Sequence, residues 1–551
     1  IGPACLQRLN GQFAIAIWDV RQESLFLARD RLGIRPLFYA QTGQELIFGS
    51  EIKAILTEPR MNARLDLQAL AQVFTFWAPL APRTMFEGIQ ELPPGHYMLA
   101  QKSDCTIARY WGLDFPDAGY EEQISADEAA EQLRALLSDA TRLRLRADVT
   151  VGSYLSGGLD STFIATLIRQ HTPDTLCTFS IAFEDAVFDE RQYQEIATAF
   201  INTDHRRTEC LSADIGKVFP EVIWHTEAPL LRTSPAPMYL LSKLVHENGI
   251  KVVLTGEGAD EFLGGYDIYK EDKVRRFWAR QPESSTRPML LRQLYPYISD
   301  LGRGKGYMEA FFRQGMMDVD QPGYSHQIRW RNANRLQRFF SPELQSALSQ
   351  YHPVEEFLSG LDGALSRTST LAQAQFIEVT TFMSAYLLSS HGDRMMAANS
   401  VEGRFPFLDY RVVEFANRLP PHIKIRGLRE KYVLKKSAQG FLPPAIWKRH
   451  KQPYRAPIHT SFFIEHLDYV NSLLSPDAIK SSGYFEPGAV ERLKLKCSAG
   501  GRIGEGEDMA LVGILSTQLV HELFVKDHGP KATQELSPLR ICQGAQVGAC
   551  R

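Results

Sequence analysis

Apolar positions along this chain follow two rhythms, and the change from one to the other divides it. Between residues 13 and 49 they come in short bursts, at 13–18, 24–28, 37–40 and 46–49, separated by polar or glycine-bearing turns, which predicts an antiparallel β-rich piece. From Ser125 the spacing lengthens. Ala129, Leu133, Leu136, Leu137, Ala140 and Leu143 recur at helical intervals behind a Ser125/Glu128 capping box, so one helix face is expected to pack on a sheet. Strand-like runs at 149–155, 176–183 and 250–254 then alternate with helical stretches at 190–200, 214–225 and 237–248. That alternation predicts a doubly wound parallel sheet. The polar stretch 112–122, with Pro116 and Gly119, reads as a linker between the two parts.

Ligands of such sheets bind beyond the carboxyl ends of the strands. The first strand there runs into Tyr154-Leu155-Ser156-Gly157-Gly158-Leu159-Asp160-Ser161. The glycine pair permits a tight turn, and a helix starts directly after it. Main-chain N–H groups and the positive end of that helix converge on one spot, which suits a chain of phosphates, and the hydroxyls of Ser156 and Ser161 add donors. The Walker pattern Gly-x-x-x-x-Gly-Lys-Ser/Thr occurs nowhere in the chain. A lone Gly-Gly would be read as a turn joining a strand to a helix.

The second strand ends in Ile181-Ala182-Phe183, and a later one runs into Thr255-Gly256-Glu257-Gly258-Ala259-Asp260-Glu261. Three carboxylates within five residues would repel a triphosphate unless a hard cation lay between them. Mg2+ is the expected ion, with Asp160 and Asp260 as its ligands. Glu257 is expected to face the reacting phosphate. A solvated acidic loop is the plainer reading of this run taken alone. Further on, Trp447-Lys448-Arg449-His450-Lys451 supplies positive charge, and a preorganised lysine stabilises negative charge that builds at a reacting phosphate.

Composition narrows the partners. With 551 residues, 44% hydrophobic and 23% charged, the chain has material for two or more cores. A net charge of -3 without a long basic run argues against nucleic acid as the main partner. The seven cysteines (Cys5, Cys105, Cys177, Cys210, Cys497, Cys542 and Cys550) are scattered, with no Cys-x-x-Cys, as in a reduced cytoplasmic protein without zinc or disulfides. No apolar run approaches the roughly 18 residues of a bilayer span, so no membrane partner is expected.

Ser156-Gly157-Gly158-Leu159-Asp160-Ser161 resembles the pyrophosphate loop of the ATP pyrophosphatases. Together with Glu257-Gly258-Ala259-Asp260-Glu261, Arg232-Thr233-Ser234, Asp393-Arg394-Met395, Glu402-Gly403-Arg404-Phe405-Pro406-Phe407-Leu408-Asp409, Lys431-Tyr432-Val433-Leu434-Lys435 and Lys451, it resembles the synthetase part of the glutamine-hydrolysing asparagine synthetases over roughly residues 5–525. Arg29-Asp30-Arg31-Leu32-Gly33 and Ser50-Glu51-Ile52-Lys53 resemble the later half of that family's Ntn-type glutaminase domain. The resemblance implies four pieces: a glutamine amidotransferase remnant (1–115), a linker (116–124), a synthetase domain of ATP-pyrophosphatase type (125–525) and a mobile tail (526–551).

It implies ATP and Mg2+ as cofactors, held by 154–161, Ile181, Thr255 and Gly256, with Glu257, Lys451 and Arg232 as catalytic residues. Aspartate, glutamine or ammonia are the implied small-molecule partners, and a homodimer is compatible. The implied product is asparagine, formed through β-aspartyl-AMP; relatives use the same fold to close lactams or amidate natural products. The family's glutaminase nucleophile is an N-terminal cysteine. Cys5 has four residues before it and is expected to be an ordinary thiol, and Asn10-Gly11 only imitates the family's oxyanion pair, so no glutaminase nucleophile is expected in this sequence. A tRNA-thiolating enzyme shares the loop but needs catalytic cysteines and a basic surface. A catalytically silent binding homologue is the other rival. Residues 267–370 carry no readable motif.

Overall fold

The structure, a computed structural model, describes residues 2–43, 45–102, 104–184, 189–295, 305–361, 363–451, 456–499 and 503–526. Residues 452–455 and the tail from 527, on which sequence reading also bore, lie outside the described residues.

The β-rich N-terminal part is antiparallel, as its alternation predicts. Strands β1 (Ala14–Asp19), β2 (Ser24–Arg29), β3 (Phe38–Thr42), β4 (Glu45–Gly49), β5 (Ile89–Glu91), β6 (His96–Gln101) and β7 (Asp104–Arg109) form a four-stranded sheet ordered β1-β2-β6-β7 and a three-stranded one ordered β4-β3-β5. Leu27 and Met98 are cross-strand partners on the buried face of the larger sheet. Ile17, Phe26 and Leu99 form a row on the other face, and Ile17 keeps 53% of its surface exposed.

The second part carries five parallel strands: β8 (Val151–Tyr154), β9 (Cys177–Phe183), β10 (Asp204–Cys210), β11 (Val252–Leu254) and β12 (Glu402–Arg404), in the order β10-β9-β8-β11-β12. Winding runs outward in both directions from β8. The loops after β8 and β11 therefore open side by side at the point where the order reverses, and that crevice is where doubly wound sheets hold ligands. Helix Ala126–Arg144 covers the sheet; Ser125 Oγ accepts from Glu128 N–H at 3.2 Å, and Ala129, Leu133, Leu137 and Ala140 are buried.

Between β11 and β12 lies a long helical excursion, which includes the stretch without motifs. It has its own apolar cluster of Val274, Trp278, Leu291, Leu294, Phe312, Met316 and Ile328. Arg275 is buried there and donates to the carbonyls of Phe312, Tyr324 and Gln314, which satisfies its guanidinium without a carboxylate hydrogen bond. His326 and Arg329 reach back to the buried Glu378. Glu378 is followed by a 15-residue π-helix, Val379–Asp393, a rare form that turns Phe382 and Tyr386 toward the N-terminal part.

The two parts are joined by buried charge. Glu227, fully buried, accepts the main-chain N–H groups of Ile52 and Lys53 at 2.9 and 2.7 Å and pairs with Arg394 at 2.8 Å. Arg35 pairs with Asp393, and Asn10 donates to Asp409. The stretch read as a linker is pinned rather than free: Ala118 and Glu122 donate main-chain bonds to Arg367 and Arg418. Its polarity serves hydrogen bonding to the helical body, a role that composition does not distinguish from solvation. A second departure concerns bilayer length. The helical run Glu505–Lys526, 22 residues with a mean hydropathy of 1.3, is long and apolar enough to cross a membrane, yet 72% of its apolar window is buried inside the fold.

Lys424 braces the floor of the crevice. Its ammonium is buried and donates to Gln375 Oε1 at 2.8 Å, while Gln375 Nε2 donates to the carbonyls of Glu261 and Phe262. Burial lowers its pKa from 10.5 to about 7. The unfolded chain therefore binds more protons between pH 7 and 10.5, and this lysine's contribution to stability rises with pH across that window and is lost as pH falls toward 7. Denaturant titrations from pH 7 to 10 are expected to show the parent gaining on Lys424→Met by up to about 1.4 kcal/mol per pH unit. Parallel curves would refute the assignment.

Candidate active site

The loop after β8 is built for close approach. Gly157 has φ 75°, and a Cβ there would run into the main chain of Tyr193. Helix Leu159–His171 starts at Gly158 without a side-chain cap, so its first N–H groups are not taken by one. The serines hold the loop's shape: Ser156 Oγ and Ser161 Oγ are 3.0 Å apart, and Ser161 Oγ accepts from Ser156 N–H at 3.2 Å.

The loop after β11 packs directly on it. A Cβ on Gly256 would lie 2.9 Å from Asp160 Cβ and 3.0 Å from Ser161 N, so only glycine admits this spacing. Thr255 donates to the Glu257 carboxylate. Burial pushes the Glu257 pKa up, and the Thr255 bond offsets part of the rise. Tyr154 Oη is buried without a hydrogen-bond partner among the described residues; desolvation, then the proximity of Glu257, raises its pKa as well. Leu155 is fully buried and Ile181 sits on the neighbouring β9, its carbonyl accepting from Gln194 at 2.9 Å.

Asp160 and Asp260 meet across the crevice on one lysine. Lys431 Nζ lies 2.6 Å from Asp160 Oδ2 and 2.7 Å from Asp260 Oδ1, while Lys451 Nζ donates to Asp260 Oδ2 at 2.7 Å. Desolvation acts to raise both carboxyl pKa values. At Asp260 the two lysines outweigh it and hold the pKa at about 2; at Asp160 burial wins and the pKa is raised. Glu430 secures both lysines' segments: next to Lys431 in sequence, it accepts the Lys451 main-chain N–H at 3.3 Å and pairs with Lys435 at 2.7 Å.

Lys431 was legible only as part of a family run, with no role attached, and Glu430 was not read at all. Lys431 has φ 49°, a left-handed conformation unusual for a lysine, and its side chain is almost fully buried. Nothing in a lysine-rich helix start marks one ammonium as buried. Arg232 is the sequence-predicted residue that the structure leaves apart. Its guanidinium pairs with Glu505 and lies 4.8 Å over the ring of Trp77; no hydrogen bond or ion pair joins it to Glu257, Asp260 or Lys451 among the described residues.

The donor set suits a hard cation. Asp160 Oδ1 is buried and accepts no hydrogen bond, and Asp260 Oδ1 meets Lys431 off the line of one. Among the described residues no third His, Cys, Asp or Glu completes an all-protein cage. One or two carboxylates, with the remaining ligands from phosphate and water, is the pattern of Mg2+ at nucleotide sites.

A glycine turn at the switch point of a parallel sheet thus faces paired carboxylates and two lysines. Residues 132–522 match the asparagine synthase family model, and residues 1–111 match that of a glutamine amidotransferase domain. The chain belongs to the asparagine synthase family and is an ATP-dependent amide-forming ligase. It is 29% identical to Amidase chry2 of Gibberella zeae over 491 residues, covering 83% of this chain and 71% of the relative. It is 28% identical to asparagine synthetase [glutamine-hydrolyzing] 1 of Bacillus subtilis over 471 residues, covering 85% and 71%. A putative asparagine synthetase of Mycobacterium tuberculosis is 30% identical over 468 residues, covering 83% and 68%.

Gly265 tests the construction. Its missing side chain leaves room for both the Asp260 carboxylate and the Lys431 stem, and a methyl group would collide with each. Gly265→Ala is expected to destabilise the fold by about 1–3 kcal/mol and to abolish nucleotide affinity, read by thermal melting and titration calorimetry with ATP. Unchanged ATP affinity would show that the lysine bridge is not part of the nucleotide site.

Proposed function

We propose that this protein activates a carboxylic acid as its acyl-adenylate and aminates it, with residues 125–525 as the synthetase domain and 1–115 as a glutamine amidotransferase part. The observation that carries the reading is the meeting of Asp160, Asp260, Lys431 and Lys451 where the loops after β8 and β11 open together. ATP lies with its outer phosphates on 156–161, flanked by Tyr154, Leu155, Ile181, Thr255 and Gly256. Asp160 and Asp260 would hold Mg2+, which would supply positive charge against the phosphates and the leaving pyrophosphate.

The acid's carboxylate oxygen attacks the α-phosphorus, the bond to the β-phosphate oxygen breaks, and pyrophosphate leaves with the electron pair. Lys451 stabilises the charge on that phosphorus and keeps its proton, because Asp260 and Asp160 outweigh burial and raise its pKa. Ammonia then adds to the acyl carbon, AMP departs, and the nitrogen loses a proton. Glu257, with its raised pKa, suits that proton.

Aspartate, giving β-aspartyl-AMP and asparagine, is the acid that the family name suggests. A second reading, amidation or lactam formation on another carboxylate in natural-product biosynthesis, draws on the relatives named amidases. Cys5 lies within the 3₁₀ turn Pro3–Arg8, and its main-chain N–H donates to Gly2, so it has no free α-amine to serve as its base. Ammonia is the nucleophile that this reading brings to the acyl carbon.

Two measurements check the assignment. Asp160→Ala and Asp260→Ala are expected to remove pyrophosphate release at every magnesium concentration; activity with unaltered metal dependence would refute the ligand assignment. Lys451→Ala is expected to slow adenylate formation by roughly 10²–10³ in single-turnover assays with ATP still bound. A near-parental rate would move the stabilising charge elsewhere.

A further inference from the structure

Lys451 is carried by a stretch without regular structure. The short helix Pro444–Trp447 ends before it, and from Lys448 to Lys451 the chain runs in neither helix nor strand. The place of the lysine is therefore set by side chains rather than by a ladder of main-chain bonds. Lys448 and His450 are exposed, whereas Arg449 and Lys451 turn inward, their side chains 11% and 26% exposed. Lys451 itself is held toward the loop after β11: its Nζ donates to Asp260 at 2.7 Å, and its main-chain N–H donates to Glu430 at 3.3 Å.

Arg449 makes the connection to the loop after β8. Its guanidinium pairs with Glu190 and lies 3.8 Å from the centre of the Tyr193 ring. Glu190 and Tyr193 belong to the start of helix Arg191–Ile201, where the Glu190 carbonyl accepts the Tyr193 N–H at 2.9 Å. That turn is fixed on the sheet, because Gln194 donates to the Ile181 carbonyl at 2.9 Å and accepts from Ser180 Oγ at 3.0 Å, both on β9. The main chain of Tyr193 and Gln194 is also what bars a Cβ at Gly157. The turn that receives Arg449 thus abuts the glycine turn directly. A planar guanidinium can stack on a ring and pair with a carboxylate at once, which the compact ammonium of a lysine does less well.

We propose that Arg449 is a positioning residue for adenylation: anchored on Tyr193 and Glu190, it holds Lys451 in a fixed place relative to the glycine turn. The inference rests on the role given to Lys451 above. Two residues of extended chain span at most about 7 Å, so an anchor at Arg449 limits how far Lys451 can stray. With Asp260 on one side and Tyr193 on the other, the stretch is tied to both loops that form the crevice. Such ties matter because a misplacement of about 1 Å can cost a reaction about 10²-fold.

The test is single-turnover pyrophosphate release by the full chain with ATP, magnesium and aspartate. Arg449→Gln is expected to slow release about 10–100-fold while the half-saturation for ATP moves less than about threefold. Arg449→Lys, which keeps the charge without the planar group, should fall between the two. Glu190→Ala is expected to slow release in the same sense, and it carries the test if Arg449→Gln melts below the assay temperature. The deciding comparison is a cycle with Lys451→Ala. A residue that acts through Lys451 has nothing left to position once the lysine is gone, so the double variant should be no slower than Lys451→Ala alone. A parental rate in either folded variant, or losses that multiply in the cycle, overturns the inference and leaves the role of Lys451 standing. Near-parental release by Lys451→Ala overturns that role, and no release by the parent overturns the acyl-adenylate reading; the inference falls with either.

Discussion

Two half-buried carboxylates sharing one buried lysine are the constraint on which the crevice depends. Asp160 and Asp260 come from different strand ends, and each lies within 2.7 Å of Lys431 Nζ. Unit charges about 5 Å apart repel by about 3 kcal/mol at an effective dielectric of 20, and burial adds a desolvation cost for each. Lys431 and Lys451 offset both and leave the cluster near neutrality. A phosphate chain entering such a balanced site brings several negative charges, which is the electrostatic reason for a cation to accompany it.

The backbone around the cluster is shaped to bring these groups together. Gly157, Gly256 and Gly265 each stand where a Cβ would press on the facing chain or on a site side chain, so the two loops approach at main-chain distance. The cost is borne by the surrounding packing, including the Lys424–Gln375 brace under Glu261 and Phe262 and the Glu430 contacts that hold the lysine segments. The Lys424–Gln375 brace ties a segment that follows β12 to one that precedes it, so the crevice cannot be assembled from the sheet alone.

The N-terminal part is not an appendage. Glu227 caps residues 52 and 53 from across the boundary while holding Arg394, and Arg35 holds Asp393, the residue before it. Asp393 ends the π-helix that presents Phe382 and Tyr386, and Trp77 comes from the N-terminal part itself. The aromatic cluster around Phe382 is therefore a product of both parts.

Local sequence was sufficient where function rests on a short run. The alternation of β-rich and βα segments, the Ser125 cap, the glycine turn at 157–158 and the carboxylates after β11 are each set by neighbours within a few residues, so periodicity and turn chemistry read them correctly. Three features escaped it. Lys431 becomes a site residue only because chain folding buries its ammonium between Asp160 and Asp260, more than 150 residues away. The polar stretch near Ala118 is pinned by distant carbonyls, and the apolar helix after Gly504 is enclosed by the fold; composition is the same for a pinned and a free linker, or for a core and a membrane helix. Arg232, which family pattern places among the catalytic groups, lies over Trp77 and pairs with Glu505. Residue types and their local spacing determined which chemistry this chain carries; the distances between strand ends, decided only by the tertiary structure, determined which charges act together.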